Sequence, residues 1–323
     1  MKRKEDPRLI TGSATYTDDI KLAGMVHVAF VRSPHAHARI VSINLDPARR
    51  VPGFVAAFSG ADLRDAWKIP LPCAWAGQPG LKNPAHWPVA VDAVRYVGDP
   101  VAVVVAADRY AARDAADLVQ VEYEPLRAVV DLEAAMRPGA AKVHPDLADN
   151  ICFNWVASNG DLDGAFRDAE VTVRQRYHQQ RMVANAIEAR AVVADYRRAT
   201  DELTVWSSTQ IPHFLKLFTS LAMGVPEHLV RVIAPEVGGA FGSKLQVYGE
   251  EGACAALAMR LGRPVKWNAD RREAFVADHH GRACITEIEV AAKRDGTITG
   301  TRVKWIQNNG AYNMLNTPYV PIL

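Results

Sequence analysis

The sequence predicts an α+β fold, and three stretches carry that expectation. Residues 101–106 are apolar and mostly β-branched, follow a Gly98-Asp99-Pro100 turn, and lead to Asp108, a suitable N-cap for a helix through Ala111, Ala112, Ala115 and Leu118. Residues 171–177 alternate as a half-buried strand does. Asp295-Gly296 lies between two strand-like runs, 285–293 and 297–306, and is the strongest short hairpin signal in the chain.

Length and composition bound the reading. A chain of 323 residues is long enough for two domains, at roughly 150 residues each, and 49% hydrophobic content supplies packed cores. A formal charge of only +2 argues against a nucleic-acid surface, which needs a clustered basic excess. Cys73, Cys152, Cys254 and Cys284 lie far apart with no CxxC pair, so they form no local zinc or iron–sulfur ligand set. Reduced and mostly buried thiols are expected, and with them a cytoplasmic location. The basic start Met1-Lys2-Arg3-Lys4 runs into Glu5-Asp6-Pro7 without an apolar region, so no signal peptide is expected there. The longest apolar run, 101–107, is too short to cross a bilayer.

In chain order, residues 25–32, 39–44 and 53–58 read as strands, and 91–97 pairs with 101–106 across the Gly98-Asp99-Pro100 turn. With the helix after Asp108 and a strand at 119–123, residues 8–125 read as a small sheet with one covering helix. Residues 126–150 carry Pro138-Gly139 and Pro145 among small and polar residues, a linker composition. Beyond it come a short helix at 161–169, the 171–177 strand, and strands at 191–196 and 203–207. Residues 212–223 have helical spacing at Phe214, Leu217, Phe218 and Leu221 and stop at Gly224, and the phenylalanines are expected to pack in the core. No internal repeat or low-complexity segment is present.

Two histidine pairs invite a metal reading and do not earn it. His35 and His37 would share one face of a strand, but no third ligand is near in sequence, so packed or hydrogen-bonded roles are expected. His279-His280 are adjacent, and adjacent residues of an extended chain point to opposite faces.

The stretch Ala234-Pro235-Glu236-Val237-Gly238-Gly239-Ala240-Phe241-Gly242-Ser243-Lys244 follows an apolar run, 229–234, and precedes an alanine-rich one, 252–261. It reads as a turn between strand and helix, where glycines admit positive φ and a helix start offers amide donors to an anion. Two nucleotide motifs fail letter by letter: GxGxxG needs glycine at Val237, and the Walker pattern needs glycine at Ser243. A nucleotide-binding module is therefore disfavoured.

Upstream stand Trp206-Ser207-Ser208-Thr209-Gln210-Ile211-Pro212-His213 and Gln180-Arg181-Met182-Val183-Ala184-Asn185-Ala186-Ile187-Glu188-Ala189-Arg190. In this order and spacing, the three segments resemble the molybdenum-binding large subunit of the xanthine dehydrogenase, aldehyde oxidase and aerobic carbon monoxide dehydrogenase family. Arg8-Leu9-Ile10-Thr11-Gly12, Arg32-Ser33-Pro34-His35-Ala36-His37-Ala38, Arg95-Tyr96-Val97-Gly98-Asp99-Pro100-Val101-Ala102, Asp108-Arg109-Tyr110-Ala111-Ala112 and Val121-Glu122-Tyr123-Glu124-Pro125-Leu126 extend the resemblance over nearly the whole chain. It implies an α/β-hammerhead domain at 8–125, a linker at 126–150, and the first, truncated part of a molybdopterin-binding α+β domain at 151–323.

The resemblance also implies the site. Gln210 matches the glutamine that reaches an oxygen ligand of molybdenum, and Gly238, Gly239, Phe241 and Gly242 match the loop lying along the metal and its dithiolene. Gln210 and Phe241 would thus approach molybdenum only through its ligands. Ala240 stands where glycine is usual, so the fit requires a negative φ there. Leu245, on the substrate side, replaces a glutamate found in purine and aldehyde oxidising members, and Leu245-Gln246-Val247-Tyr248 looks more like the carbon monoxide dehydrogenase branch. No catalytic base is expected in this chain, because the family's glutamate lies in a later segment; Glu188 and Glu236 are read as structural ion pairs.

The implied function is oxidation of a small substrate with water as oxygen source. The implied cofactor is molybdopterin with molybdenum, in its cytosine dinucleotide form, with iron–sulfur and FAD carried by partner subunits and the carboxy-terminal remainder supplied separately. No nucleic acid or membrane span is expected. The alternative is a noncatalytic split or truncated scaffold that docks the remainder of the molybdenum subunit.

Overall fold

The strands, in chain order, are β1 (Val26–Arg32), β2 (Ala38–Asn44), β3 (Phe54–Ser59), β4 (Ala93–Val94), β5 (Pro100–Ala106), β6 (Gln120–Pro125), β7 (Val171–Val183), β8 (Ala191–Arg197), β9 (Glu202–Ser207), β10 (Val230–Ile233), β11 (Val265–Asn268), β12 (His280–Ala292) and β13 (Ile298–Gln307). They come from a computed structural model that describes residues 3–317; Met1 and Lys2 of the basic start, and 318–323, lie outside the described residues. Seven strands form one sheet in the order β10-β9-β8-β11-β1-β5-β3. That sheet joins strands from the first 125 residues to strands beyond 190, through the parallel pairing of β1 with β11.

β5 explains why the sheet holds. It pairs with β1 on one side and β3 on the other, and every one of its residues is buried, as expected of an apolar run covered on both faces. Val103 and Val105 face the main core with Val26, Val28 and Phe30, under the helices Pro212–Met223 and Gly249–Leu261. Val104 and Ala106 face the opposite side, where the helix Arg109–Asp117 packs through Ala111, Ala112, Ala115 and Ala116. Asp108 caps this helix as expected, its carboxylate accepting from the amides of Tyr110 and Ala111.

Three local expectations change. The 91–97 run does not pair with 101–106. Only Ala93–Val94 is strand, and it pairs with β2 in a separate sheet ordered β4-β2-β6. The cause lies in the turn: Asp99 accepts the Arg95 amide with its own carboxylate, and Ser33 ties both Gly98 and Asp99 by backbone hydrogen bonds. Residues 8–125 therefore divide between two sheets rather than forming one, with Val101 packed between Ala38 and Val94.

The Pro212–Met223 helix buries Leu215, Phe218, Ala222 and Met223, whereas Phe214, Leu217 and Leu221 remain substantially exposed. The sequence is apolar around most of the helix, so spacing alone cannot say which stripe faces inward. Strand β7 extends to Val183 and is exposed along nearly all its length, not half-buried at 171–177. Its sheet, ordered β13-β12-β7, places Arg174, Glu289 and Arg302 in one row beside the Leu162–Arg167 helix. The other face carries Val173, Tyr177, Val303 and Trp305, all half-exposed among the described residues.

The 295–296 turn closes the β12–β13 hairpin as the sequence predicts, with Gly296 at φ 91. Strand β11 and the helix Arg271–Ala277 had no clear signal. β11 has four residues and contains Lys266, which hides its ammonium by donating to the carbonyls of Asp18 and Ile20. No helix is long and apolar enough to cross a membrane among the described residues. The cysteines are free thiols; Cys254 and Cys284 are buried, Cys73 and Cys152 partly so.

Candidate functional site

β9 and β10 are parallel neighbours, with Trp206 opposite Ile233, so the segments that leave their carboxyl ends emerge side by side. One is Ser207-Ser208-Thr209-Gln210 and the other is the glycine stretch from Ala234. The open carboxyl ends of parallel strands are where α/β sheets hold ligands, because the chain must turn there without ladder partners. The Gln210 amide donates to the Lys244 carbonyl at 3.0 Å, and the Gly242 amide donates to Gln210 Oε1 at 3.2 Å. The side-chain amide of Gln210 is thereby fixed against the loop, leaving its NH2 group for another acceptor.

The loop uses its glycines selectively. Gly239 has φ 96 and Gly242 φ 87, both in the left-handed region. A Cβ on Gly238 would sit 2.5 Å from Glu188 Cβ, so that position is fixed by close approach. Ala240 stays outside the left-handed region, which meets the condition its side chain imposes. Phe241 does not: its φ is 51, an uncommon conformation for a bulky residue, and the residue is 77% exposed. The amides of Gly239, Ala240 and Phe241 donate to no acceptor among the described residues, while those of Gly238 and Gly242 are taken. A row of free amides on a glycine turn suits an anionic group.

Glu188 holds the three motif segments together. Its Oε2 accepts from the Gly238 amide at 2.7 Å, Lys244 Nζ at 2.8 Å and Ser208 Oγ at 3.0 Å. The Glu188 amide returns a hydrogen bond to the Gly238 carbonyl. Lys244 is 2% exposed; burial lowers its pKa and the Glu188 carboxylate opposes that shift. This is the structural ion pair expected for Glu188, and Glu236 likewise pairs with Arg8. Leu245 lies directly after Lys244, partly exposed, with its carbonyl accepting from Asn316 Nδ2 at 2.8 Å.

The helix after the loop plays a different part from the one its position suggests. It begins at Gly249, not immediately after Lys244, and its first turn carries Glu250 and Glu251. With Glu250 held there as a buried carboxylate, the positive end of the helix already has its anion. Glu251 accepts the Tyr248 amide and the Ser207 hydroxyl. Glu250 is gripped by Arg190 at 2.8 Å and Arg32 at 2.6 Å; Arg190 continues to Asp278, and Arg32 to Glu273, each at 2.6 Å. Burial alone would raise the Glu250 pKa, but the two guanidinium groups hold it well below the usual carboxylate range. No sequence signal marked this network, because its members lie on four separate segments: β1, the residue before β8, the Gly249–Leu261 helix and the Arg271–Ala277 helix with its C-cap.

His35 packs edge-on against Tyr123, and His37 Nδ1 pairs with the Arg127 carbonyl at 3.2 Å, the packed and hydrogen-bonded roles expected of them. Among the described residues, no group of three or more His, Cys, Asp or Glu is placed to hold a metal ion directly.

Residues 11–127 match the aldehyde oxidase and xanthine dehydrogenase a/b hammerhead domain, and residues 143–322 match the molybdopterin cofactor-binding domain. The chain is 40% identical to the nicotine 6-hydroxylase large subunit of Paenarthrobacter nicotinovorans over 97% of its own length and 38% of that protein's. It is 36% identical to the carbon monoxide dehydrogenase large chain of Afipia carboxidovorans, over 98% and 40%. The crystal structure of quinoline 2-oxidoreductase from Pseudomonas putida 86 superposes with a TM-score of 0.93 at 38% identity, over 98% of this chain and 40% of that one. The chain thus spans about two fifths of the length of the relatives it matches.

Proposed function

This chain belongs to the family of molybdenum-binding large subunits of xanthine dehydrogenase, aldehyde oxidase and carbon monoxide dehydrogenase, and we propose that Gln210 and the Gly238–Gly242 loop hold one side of its molybdopterin cofactor. The observation that carries this reading is the Gly242 amide donating to Gln210 Oε1, which joins two distant motif segments in one surface of neutral donors. Neutral amides hold a charged group without competing as metal ligands. The free amides of Gly239, Ala240 and Phe241 fit such a group, and Gln210 would offer its NH2 to an oxygen on the metal.

When bound, that cofactor supplies the two-electron redox chemistry by which a substrate is oxidised with water as oxygen source. The residues of this chain orient and bind. The cytosine dinucleotide form, iron–sulfur and FAD partner subunits, a carboxy-terminal remainder carrying the catalytic base, and a cytoplasmic location complete the proposal. Leu245 would set an apolar wall on the substrate side, where a buried purine N–H or C=O left unpaired costs about 1–3 kcal/mol. The substrate is therefore small or weakly polar, such as carbon monoxide, a simple aldehyde or a less polar heterocycle. Relatives named for nicotine, quinoline and carbon monoxide are in keeping with that class.

The test is to purify the chain from its host with whatever subunits accompany it, and to measure molybdenum, iron, flavin and pterin nucleotide together. Molybdenum and cytosine nucleotide in a complex with iron and flavin are expected. A complex rich in iron and flavin but free of molybdenum would refute the reading. Xanthine oxidised with a kcat/KM matching that for simple aldehydes would refute the role given to Leu245.

A further inference from the structure

A cavity of about 200 Å³ lies apart from the glycine loop, between the end of the β7–β12 ladder and the 309–314 segment. Its walls include Pro88, Val97, Pro100, Val276 and Met314, with the aromatic rings of His86, Tyr96 and Tyr312. His86 stacks on Tyr312 with ring centroids 4.0 Å apart and planes 4° from parallel, and Tyr96 meets both edge-on. The cavity is thus built largely of flat apolar surface.

One corner is cationic. Arg181 lines the cavity, and Arg282 stands directly opposite it in the β7–β12 register. Like charges placed opposite one another on neighbouring strands repel. Neither guanidinium has a carboxylate or hydrogen-bond acceptor among the described residues, whereas Arg32 and Arg190 have two carboxylates each. His279 and His280 border the same cavity, although adjacent residues of a regular strand would face opposite ways. The strand begins only at His280, which leaves His279 free of its alternation. Burial holds His279 down to about 4, and the charges acting on it, His280 and Arg181, push the same way. Glu250 and Asp278 also touch the cavity, but arginines hold both Glu250 oxygens and Asp278 Oδ1.

Two polar atoms at this cavity are buried without partners: His86 Nδ1 and Asn309 Oδ1. The Asn309 amide holds only a 3.4 Å contact to Cys152 Sγ, and turning it over would present its NH2 instead. Unpaired buried polar atoms are rare enough to ask for a ligand or water.

We propose that this cavity binds a small planar aromatic carboxylate, its ring against the Tyr312, Tyr96 and Val97 walls and its carboxylate at Arg181. A ring compound with one carboxylate fits the volume, supplies the missing negative charge, and leaves the committed acids undisturbed. Guanidinium recognises carboxylate through paired N–H donors, which a neutral amide cannot match.

The probes are benzoate, benzamide and inorganic phosphate, titrated calorimetrically into the full chain with any subunits that accompany it. Benzoate is expected to bind at one site, with Arg181→Gln weakening it about tenfold or more. Arg181 is exposed, so that variant should fold, and an unchanged melting curve verifies it. Benzamide is expected to bind at least tenfold more weakly. In NMR titrations, benzoate should raise the His279 pKa in the wild type and leave it unmoved in Arg181→Gln. No saturable binding at millimolar benzoate overturns the proposal, as does benzoate binding that Arg181→Gln leaves unchanged. Phosphate binding as tightly as benzoate also overturns it, since charge alone would then be recognised.

Discussion

The glycine loop and the Arg32–Glu250–Arg190–Asp278 network lie within one part of the fold and treat their polar groups in opposite ways. In the network, Glu250 gives both oxygens to buried guanidinium groups, and Arg190 further stacks 3.6 Å over the Tyr248 ring. In the loop, three consecutive amides are unused by the described residues, and Phe241 holds a left-handed backbone with its ring in solvent. The network uses its hydrogen-bonding capacity to weld strand, helix and loop together. The loop leaves that capacity unused by the described residues. Glu188 anchors the loop on both sides, at Gly238 and Lys244, and leaves 239–241 open.

The comparison breaks most readily at Glu250. Glu250→Ala leaves Arg32 and Arg190 buried with one carboxylate each, and removing one partner of a buried ion pair costs about 3–5 kcal/mol. Urea unfolding should show a loss of that size. A loss under about 1 kcal/mol would mean that water reaches these arginines and the weld is weak.

A second difference appears in pH dependence. Burial raises Glu251 to about 7 from its ordinary 4.5, with the Ser207 hydroxyl and Tyr248 amide opposing. The folded state therefore binds a proton that the unfolded state has released between those values, so the stability tied to Glu251 is full below about 4.5 and declines as pH rises through 7. Asp99, raised to about 7 by burial, acts in the same direction, while His86 and His279, held near 3 and 4, act oppositely up to pH 6.5. Comparing Glu251→Gln with wild type cancels those shared terms. The variant should gain up to about 3 kcal/mol relative to wild type between pH 4.5 and 7.5, read from urea midpoints at each pH. A difference constant across that range would show that Glu251 is ionised when folded.

Glu188→Gln sharpens the comparison from the loop's side. The amide oxygen can still accept from Gly238 and Ser208, but the charge opposite Lys244 is gone, at about 1–3 kcal/mol. Stability should fall by that amount while molybdenum retained by the purified complex falls several-fold. Unchanged molybdenum content would show that the loop keeps its shape without the clamp.

How much of this was visible in the sequence follows the same division. The loop was legible because its demands fall on consecutive residues: Gly239 and Gly242 at positive φ, Gly238 at a close approach, Ala240 at an ordinary angle. Elements with local signatures, such as the Asp108 cap and the Asp295-Gly296 turn, could be read in the same way. The joined sheet could not, because the pairing of Val26 with Val265 depends on residues 239 apart and β11 hides a lysine among its apolar neighbours. The arginine network was invisible for the same reason, and the exposure of Phe214 was lost because its helix is apolar on more than one side.

The smallest expected effect isolates the loop from its packing. Phe241 sits at φ 51, where a side chain costs about 1 kcal/mol relative to the right-handed region and glycine costs nothing sterically. Against that gain stands the extra freedom glycine has in the unfolded chain, also of order 1 kcal/mol. The ring is mostly in solvent and touches the space above Gly239, so its removal gives up little buried area. Phe241→Gly should therefore change unfolding free energy by less than about 1 kcal/mol in either direction. On the proposed reading, its consequence should fall on the cofactor instead, as a several-fold loss of retained molybdenum at nearly constant stability. If urea unfolding instead shows a loss above about 2 kcal/mol, the ring packs in solution, and the loop is then built like the network beside it.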